Sequence, residues 1–264
     1  MTSRAVFKAT GSLVLGALLF SPAARPQLIM DVEAQLRVEW LNMKRNMPQH
    51  PDPAVRRFAE CIAWAIIDVI PEEFQGLDWE ILVFDNDAQN AMVTPAGKIA
   101  VFSGLFDVAD TPDKFAAVIG HEVAHLTEGH VGERVGRGIL STATGMVLGA
   151  AGSRVLGGNV RGEAQTATQI GIQLPFQRNQ EAEADFTGMR FMAEAGYNPG
   201  TVLELWRAMG GERGPGQNRR RQPEWLSTHP DPSLRMREMA SNLAPALVAY
   251  NNALDAGVRP RCRL

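Results

Sequence analysis

The sequence of 264 residues is poor in several residues on which common classes of binding site depend. Two cysteines are too few for a disulfide scaffold or for a zinc site of four thiolates. The 26 lysines and arginines are outnumbered by 29 aspartates and glutamates, so no strongly basic surface exists for general nucleic-acid binding. Only five histidines occur, which makes their positions informative. Hydrophobic residues nevertheless make up 45% of the chain, enough for a large core, and we expect one folded domain.

The first 24 residues have the three-part pattern of a secretory signal. Arg4 and Lys8 form a basic start, an uncharged and mostly apolar run follows at 9–20, and small residues at 21–24 offer a cleavage point. The run is shorter than the roughly 20 apolar residues that span a bilayer. We therefore expect residues 25–264 to be exported, to the periplasm or beyond. The alternative is an uncleaved amphipathic or transmembrane anchor.

Export would permit a disulfide between Cys61 and Cys262. Such a bridge would close most of the chain and contribute roughly 5 kcal/mol in the chain-entropy model. In the alternative, Cys61 is a buried apolar residue and Cys262 a free thiol in the tail. The sequence slightly favours this alternative, because nothing in it fixes the tail near Cys61.

The order of predicted elements is helices, then three short strands, then helices again. The strands are predicted at 79–84, 90–93 and 98–102. A helix start follows at Thr111-Pro112-Asp113, with a capping hydroxyl, a proline at the first helical position and an acid in the first turn. This order predicts an α+β fold with one small antiparallel sheet.

The helix that starts after Thr111 carries the sequence His-Glu-Val-Ala-His at 121–125. Side chains four residues apart lie on one face of a helix, so His121 and His125 can bind one metal ion. Glu122 lies beside that face, where it can deprotonate a metal-bound water and later protonate the leaving amine. This spacing is the zinc pattern of metallopeptidases. The flanking residues are apolar, so two histidines and a carboxylate in this helix need a reason to be buried.

A catalytic zinc usually takes three protein ligands, so a third must come from elsewhere in the chain. His130 is a poor candidate, because five helical residues rotate it about 140° away from the face of His125. Glu181 is a better one: it is four residues from Asp185, so one of the two can bind zinc while the other accepts the free N–H of a ligand histidine. Glu183 is expected to point away as a solvated charge. Gly188 would let two helices approach closely.

These motifs resemble the HtpX-like and CAAX prenyl protease family of zinc metallopeptidases. The resemblance rests on His-Glu-Val-Ala-His at 121–125, on Glu-x-x-Ala-Asp-x-x-Gly at 181–188 and on Thr-His-Pro at 228–230. The strand pair at 90–105 is also similar, and the whole resemblance covers about residues 55–245. It implies a mainly helical, zincin-type domain with a small sheet next to the zinc helix. Family members include a mitochondrial inner-membrane quality-control protease and periplasmic proteases that handle misassembled outer-membrane proteins.

The resemblance implies roles for individual residues. His121, His125 and Glu181 would bind one Zn²⁺, and Glu122 would be the general base and acid. Asp185 would orient a ligand histidine. His229 would lie near the zinc, where it could stabilise the transition-state oxyanion or occupy the open zinc position in a resting state; the alternative is a packing role at a helix N-terminus.

Substrate binding is predicted at Asn90, Ala91 and Met92, an edge strand that would pair with the backbone of an unfolded polypeptide. The N-terminus lacks the multiple membrane spans of some family branches, so the chain looks like the exported branch. Residues 131–176 carry little charge and many small residues, which is compatible with a mobile cover or a membrane-touching surface, and equally with two packed helices. The arginines at 219–221 are compatible with peripheral membrane contact, although such a loop is more often simply solvated.

Together these features predict an exported zinc metalloendopeptidase that hydrolyses misfolded or misassembled envelope proteins. One alternative is a chaperone-like envelope protein whose zinc site is latent or self-inhibited. Another is a zinc hydrolase of a non-peptide amide, which the edge strand near Asn90 argues against.

Overall fold

The computed structural model describes residues 25–137, 176–210, 225–229 and 232–264. The chain divides into two units, one ending at Met43 and the other running from Lys44 to Leu264. Helix α1 covers Arg25–Asn46, and its residues up to Met43 are the described part of the first unit. The predicted signal, most of the 131–176 segment and the arginines at 219–221 lie outside the described residues. No helix in the described ranges is both long enough and apolar enough to cross a membrane.

The second unit consists of helices and one small sheet. Its α-helices are α2 (Pro53–Ile67), α3 (Glu72–Gln75), α4 (Pro112–Thr127), α5 (Arg178–Glu194), α6 (Val202–Gly210), α7 (Trp225–Thr228), α8 (Pro232–Ser241) and α9 (Leu243–Asp255). Its strands are β1 (Glu80–Phe84), β2 (Ala91–Val93) and β3 (Lys98–Phe102), and short 3-10 helices cover Ser103–Asp107 and Pro199–Thr201. Residues 130–137 are also helical. The predicted α+β class is confirmed.

The sheet is mixed, rather than wholly antiparallel as predicted. Its strand order is β1-β3-β2, with β2 antiparallel and β1 parallel to β3. The six residues 85–90 between β1 and β2 exceed the two to five of a tight hairpin. Instead they cross the end of β3, where the Asn86 N–H donates to Ser103 Oγ at 2.9 Å and the Gly104 N–H donates to Asn86 O at 2.9 Å. Strand β2 therefore pairs with β3 on the side away from β1.

The two edges of the sheet differ. Gln49 bridges to Phe84 on the outer side of β1, and the His50 N–H donates to Val83 O at 2.8 Å. Within the described part of the chain, no segment pairs with the outer side of β2. Strand β2, which includes the predicted substrate-binding residues Ala91 and Met92, is thus an edge strand.

Helix α4 lies at the centre of the second unit. Thr111 caps it, its hydroxyl accepting from the Lys114 N–H at 3.3 Å, and Pro112 occupies the first turn as predicted. Every residue from Phe115 to Leu126 is buried, because α4 packs against α2, α5 and β2. The polar side chains of this helix are therefore buried with its apolar ones.

Helices α4 and α5 approach each other at two glycines. A Cβ atom on Gly188 would lie 2.8 Å from the backbone nitrogen of His121, and a Cβ on Gly120 would lie 2.8 Å from the carbonyl oxygen of Gly188. These distances are shorter than carbon–nitrogen and carbon–oxygen contacts allow, so the two backbones can touch only because both side chains are missing. The predicted close approach at Gly188 is confirmed.

The C-terminal tail is fixed to the core, and the slightly favoured prediction of two free thiols is wrong. Cys61 of α2 forms a disulfide with Cys262 across a sequence separation of 201 residues. Helix α9 packs against α5, and the Tyr197 hydroxyl donates to Cys262 Sγ at 3.3 Å. A Cβ on Gly196 would lie 2.8 Å from Pro260, so the tail runs directly over this glycine. These contacts between residues distant in sequence bring Cys262 to Cys61.

We expect Gly188→Ala to lower the free energy of unfolding by about 1–3 kcal/mol, because its methyl group would push against the backbone of α4. Chemical denaturation would measure the change. Gly132→Ala is the matched control: a Cβ there meets no atom within 4 Å, so the substitution should be neutral or stabilise by up to about 1 kcal/mol. A Gly188→Ala protein as stable as the wild type would show that the close approach is not required.

Candidate metal centre

The predicted ligand pair on α4 is arranged as its spacing requires. His121 Nε2 lies 3.0 Å from His125 Nε2, and both side chains are buried. Burial lowers the pKa of His125 well below its ordinary value, so this imidazole is neutral and keeps a lone pair. The two rings therefore present adjacent nitrogen donors.

Helix α5 places a carboxylate opposite these rings. Glu181 Oε1 lies 3.4 Å from His125 Nε2, and Glu181 Oε2 lies 3.7 Å from His121 Nε2. Glu181 is fully buried, which by itself would raise the pKa of its carboxyl group. The nearby imidazoles of His229 and His125 and the guanidinium of Arg235 outweigh this effect and lower the pKa, so Glu181 is a carboxylate.

His229 directly follows α7 and completes this group of potential metal ligands. Its Nδ1 lies 3.2 Å from His121 Nε2 and 3.0 Å from Glu181 Oε1. Its Nε2 lies 3.3 Å from Glu122 Oε1. His229 is buried, so the contact is part of the interior rather than of a surface loop.

Four potential ligand atoms, from His121, His125, Glu181 and His229, lie within 4.8 Å of one another, and they form the only such group in the described ranges. Three imidazole nitrogens and a carboxylate oxygen converge here, with His121 Nε2 3.0 Å from His125 Nε2 and 3.2 Å from His229 Nδ1. A cation that accepts all the lone pairs explains why they converge. The donor set of imidazoles and one carboxylate is one that Zn²⁺ and similar divalent ions bind. The residues present therefore fit a metal ion.

Glu122 lies beside the donor set rather than in it. The indole Nε1–H of Trp225 donates to Glu122 Oε1 at 3.0 Å, and His229 contacts the same oxygen. Burial would raise the pKa of Glu122, but the imidazole of His229 outweighs it and the net effect lowers the pKa. Glu122 is thus an ionised carboxylate held next to the four donors.

Asp185 contacts His121 at the ring nitrogen that does not face the donor set. Its Oδ1 accepts from His121 Nδ1 at 3.0 Å, which leaves His121 Nε2 without a proton and turned toward the donor set. Arg235 of α8 binds Asp185 with two hydrogen bonds, Nε to Oδ2 at 2.7 Å and Nη2 to Oδ1 at 2.6 Å. Arg235 also forms an ion pair with Glu181 and lies 3.9 Å above the ring of Trp206.

Residues 54–242 of this chain match the sequence model of peptidase family M48. The chain belongs to peptidase family M48. It is 32% identical over 178 residues to the mitochondrial metalloendopeptidase OMA1 of Arabidopsis thaliana, which covers 67% of this chain and 34% of that protein. It is 30% identical over 245 residues to the putative beta-barrel assembly-enhancing protease of Vibrio cholerae, which covers 89% of this chain and 48% of the relative. The Schizosaccharomyces pombe OMA1 is 32% identical over 172 residues, covering 65% of this chain and 49% of the relative.

Membership of family M48 confirms the resemblance seen in the sequence and the predicted class, a metallopeptidase. The chain spans about a third to a half of the length of these relatives. Their activities as whole proteins are therefore not transferred to it. The roles predicted for individual residues stay predictions, now with a geometry in which to test them.

The residues predicted to bind substrate lie on or next to β2, apart from the four potential metal ligands. Asn90 precedes β2, and its carbonyl accepts from the Phe102 N–H at 3.1 Å. Strand β2 with Ala91 and Met92 packs against α4 but contributes no atom to the donor set. The predicted substrate-binding residues are therefore not part of the donor set.

Sequence reasoning missed several residues that contact the site. Arg235 and Trp225 are the clearest, since neither had a predicted role. Arg235 follows the Thr-His-Pro motif by a few residues. Two buried carboxylates on one helix require a positive charge beside them, and this requirement could have pointed to Arg235. Trp225, the first residue of α7 and four residues before His229, gave no comparable signal.

We expect Glu181→Ala to lose the metal, because the change removes the only carboxylate among the four donors. The loss of affinity should exceed the roughly 10–100-fold typical of residues that only orient a ligand. Metal analysis of the purified variant after dialysis would measure it. Glu194→Ala, a partly exposed position at the other end of the same helix, is the control and should keep a full equivalent. A Glu181→Ala protein with full occupancy would remove Glu181 from the ligand set.

Proposed function

We propose that this chain is an exported zinc endopeptidase that hydrolyses peptide bonds in misfolded or misassembled envelope proteins. The observation that carries the proposal is the convergence of four buried donor atoms with a carboxylate, Glu122, held beside them. A structural metal site would need the donors alone. A hydrolytic site needs, in addition, a base that does not bind the metal.

Zinc is the metal that this donor set favours, because catalytic zinc sites usually take three protein ligands from imidazole nitrogen, carboxylate oxygen and thiolate, and keep a fourth position for water. His121, His125 and Glu181 would hold it, with the ring of His229 within 4.8 Å of their ligand atoms. When bound, zinc would supply a Lewis acid that polarises the scissile carbonyl and makes water acidic at neutral pH.

Glu122 would move the protons of the reaction. It is ionised in the resting structure, so it can accept a proton from the attacking water and deliver it to the nitrogen of the leaving peptide. The Trp225 indole fixes the carboxylate by one oxygen, Oε1, and so sets its orientation. A carboxylate held in this way loses little entropy when the transition state forms.

His229 would close the site in the resting state. Of the two roles that the sequence left open, its geometry supports occupation of the open metal position, because Nδ1 faces the donors at 3.0–3.2 Å. Its Nε2 also contacts Glu122, so one side chain engages both the donor set and the base. Substrate binding would then require His229 to move away.

The edge strand β2 would hold the substrate. An extended polypeptide can add to the open side of β2 through backbone hydrogen bonds, which read conformation rather than sequence. This mode suits unfolded polypeptides, whose backbones are accessible. The predicted residues Asn90, Ala91 and Met92 would supply this strand next to α4.

Export is supported by two features of the chain. The predicted signal at 1–24 precedes the described residues, and the Cys61–Cys262 disulfide is typical of an oxidising compartment. The name of the Vibrio cholerae relative, a putative beta-barrel assembly-enhancing protease, supports an envelope role. The alternative of a chaperone-like protein with a latent zinc site is not favoured, because the chain belongs to a peptidase family and Glu122 is present and ionised.

We expect Glu122→Gln to keep one zinc per chain and to lose casein cleavage. Glutamine preserves the shape and the contact with Trp225 but cannot accept the proton, and losing a general base typically costs about 10²–10⁴-fold in rate. Metal analysis and a casein assay on the same preparation would show both effects. Normal cleavage by the zinc-loaded variant would contradict the mechanism.

We expect His229→Ala to keep zinc, because three ligands remain, and to cleave casein faster than the wild type. If His229 leaves only a tenth of the molecules open, its removal should raise kcat/KM by about 10-fold. The double variant Glu122→Gln, His229→Ala is the control and should be inactive. Slower cleavage with zinc retained would instead support the oxyanion role of His229.

A further inference from the structure

A turn and a second helical stretch follow directly after α4. Helix α4 ends at Thr127, Gly129 adopts a positive φ of 77°, and a second helical stretch begins at residue 130. His130 therefore lies beyond the end of α4, so the helical rotation of about 140° does not describe its position. Its Nδ1 lies 3.1 Å from Nδ1 of His125, and both side chains are buried.

His130 also reaches a carboxylate of α5. Its Nε2 lies 3.3 Å from Oε2 of Glu183, a side chain that is 56% exposed. Glu183 is thus partly the solvated charge that the sequence predicted, but it also contacts a histidine. The three side chains His125, His130 and Glu183 form one continuous series of contacts from the donor set to the surface.

The protons in this series can be arranged in only one way when His125 binds a metal through Nε2. A metal-binding Nε2 carries no proton, so the single proton of the neutral ring is on Nδ1 and is donated to His130 Nδ1. His130 then accepts at Nδ1 and, as a neutral ring, carries its own proton on Nε2. That N–H is donated to the carboxylate of Glu183.

The other ligand histidine has a shorter version of the same arrangement. His121 Nδ1 donates directly to Asp185, whereas within the described residues His125 reaches a carboxylate through His130. Ligand histidines usually donate their second N–H to such a partner, which fixes the ring and makes it a better ligand. Helix α5 thus supplies Glu181 to the donor set and the carboxylates, Asp185 and Glu183, at which the two series of contacts end.

A second contact holds the plane of the His125 ring. Phe176 stacks on it with centroids 3.7 Å apart and an angle of 14°, and the guanidinium of Arg134 lies 3.9 Å from the Phe176 ring. The helical stretch that carries His130 and Arg134 is tied to α5, because Gln180 Nε2 donates to Glu133 Oε2 at 2.7 Å. Both contacts on His125 are therefore held by elements outside α4.

We propose that His130 and Glu183 are positioning residues that fix the tautomer and orientation of His125 for metal binding. This inference rests on the proposed function in one respect, that His125 is a metal ligand. His130 itself does not bind the metal, since the nitrogen that would do so accepts the proton of His125.

The test compares two variants of similar size in the full-length, zinc-loaded chain. His130→Asn places an amide oxygen near the former Nδ1 and can still accept from His125, whereas His130→Leu cannot. We expect zinc to bind about 10–100-fold more weakly to His130→Leu, and within about threefold of the wild type to His130→Asn. Competition with a chromophoric chelator would measure both dissociation constants, and the visible spectrum of the Co²⁺ form would report the altered ligand geometry. His50→Leu is the control, since His50 is the remaining histidine, neither one of the four potential ligands nor His130.

Glu183→Ala provides a second variant at a half-exposed position, where misfolding is not expected. Zinc should bind it about three- to tenfold more weakly, the effect of one partly exposed hydrogen bond, and Glu194→Ala should bind normally. Wild-type zinc affinity in both His130→Leu and Glu183→Ala would overturn the positioning role of His130 and Glu183 while leaving the proposed endopeptidase function intact. A wild-type chain that binds no zinc would overturn the proposed function and the positioning role together.

Discussion

The site depends on the contact between the backbones of α4 and α5 at Gly120 and Gly188. One helix carries the two candidate histidine ligands and the other carries Glu181 and Asp185, so the separation of the helices sets the distances between these histidines and these carboxylates. With a Cβ atom 2.8 Å from the opposing backbone, neither glycine can be replaced without moving the helices apart. A shift of about 1 Å would exceed the tolerance of a metal–ligand bond.

Charge is the second constraint on this interior. Glu122, Glu181 and Asp185 are all buried and all ionised, which is costly unless each is paired. Arg235 pairs with two of them, and Trp225 and His229 satisfy the third. These partners come from α7, from the residue that follows it and from α8, far along the sequence from α4. The C-terminal part of the region that matches family M48, residues 54–242, is therefore needed to neutralise the buried carboxylates. A bound metal ion would complete that neutralisation.

The sequence was sufficient where the structure depends on local spacing. Histidines four residues apart on a capped helix predicted their convergence, and Gly188 predicted the close approach. It was insufficient where the structure depends on contacts between distant residues or on one turn. The disulfide required Cys262 to be brought back by α9, and the parallel pairing of β1 required the 85–90 crossing. The helical rotation that argued against His130 as a ligand could not show that the turn at Gly129 brings its ring against His125.

Convergence on a single ion is tested most directly by anomalous diffraction at the zinc absorption edge, on crystals of the zinc-loaded chain. The predicted result is one peak per chain, about 2.0–2.1 Å from Nε2 of both His121 and His125 and about 2.0–2.2 Å from a carboxylate oxygen of Glu181. A zinc peak bound by other residues, with these three side chains turned away from it, would contradict the shared site and the hydrolytic function built on it.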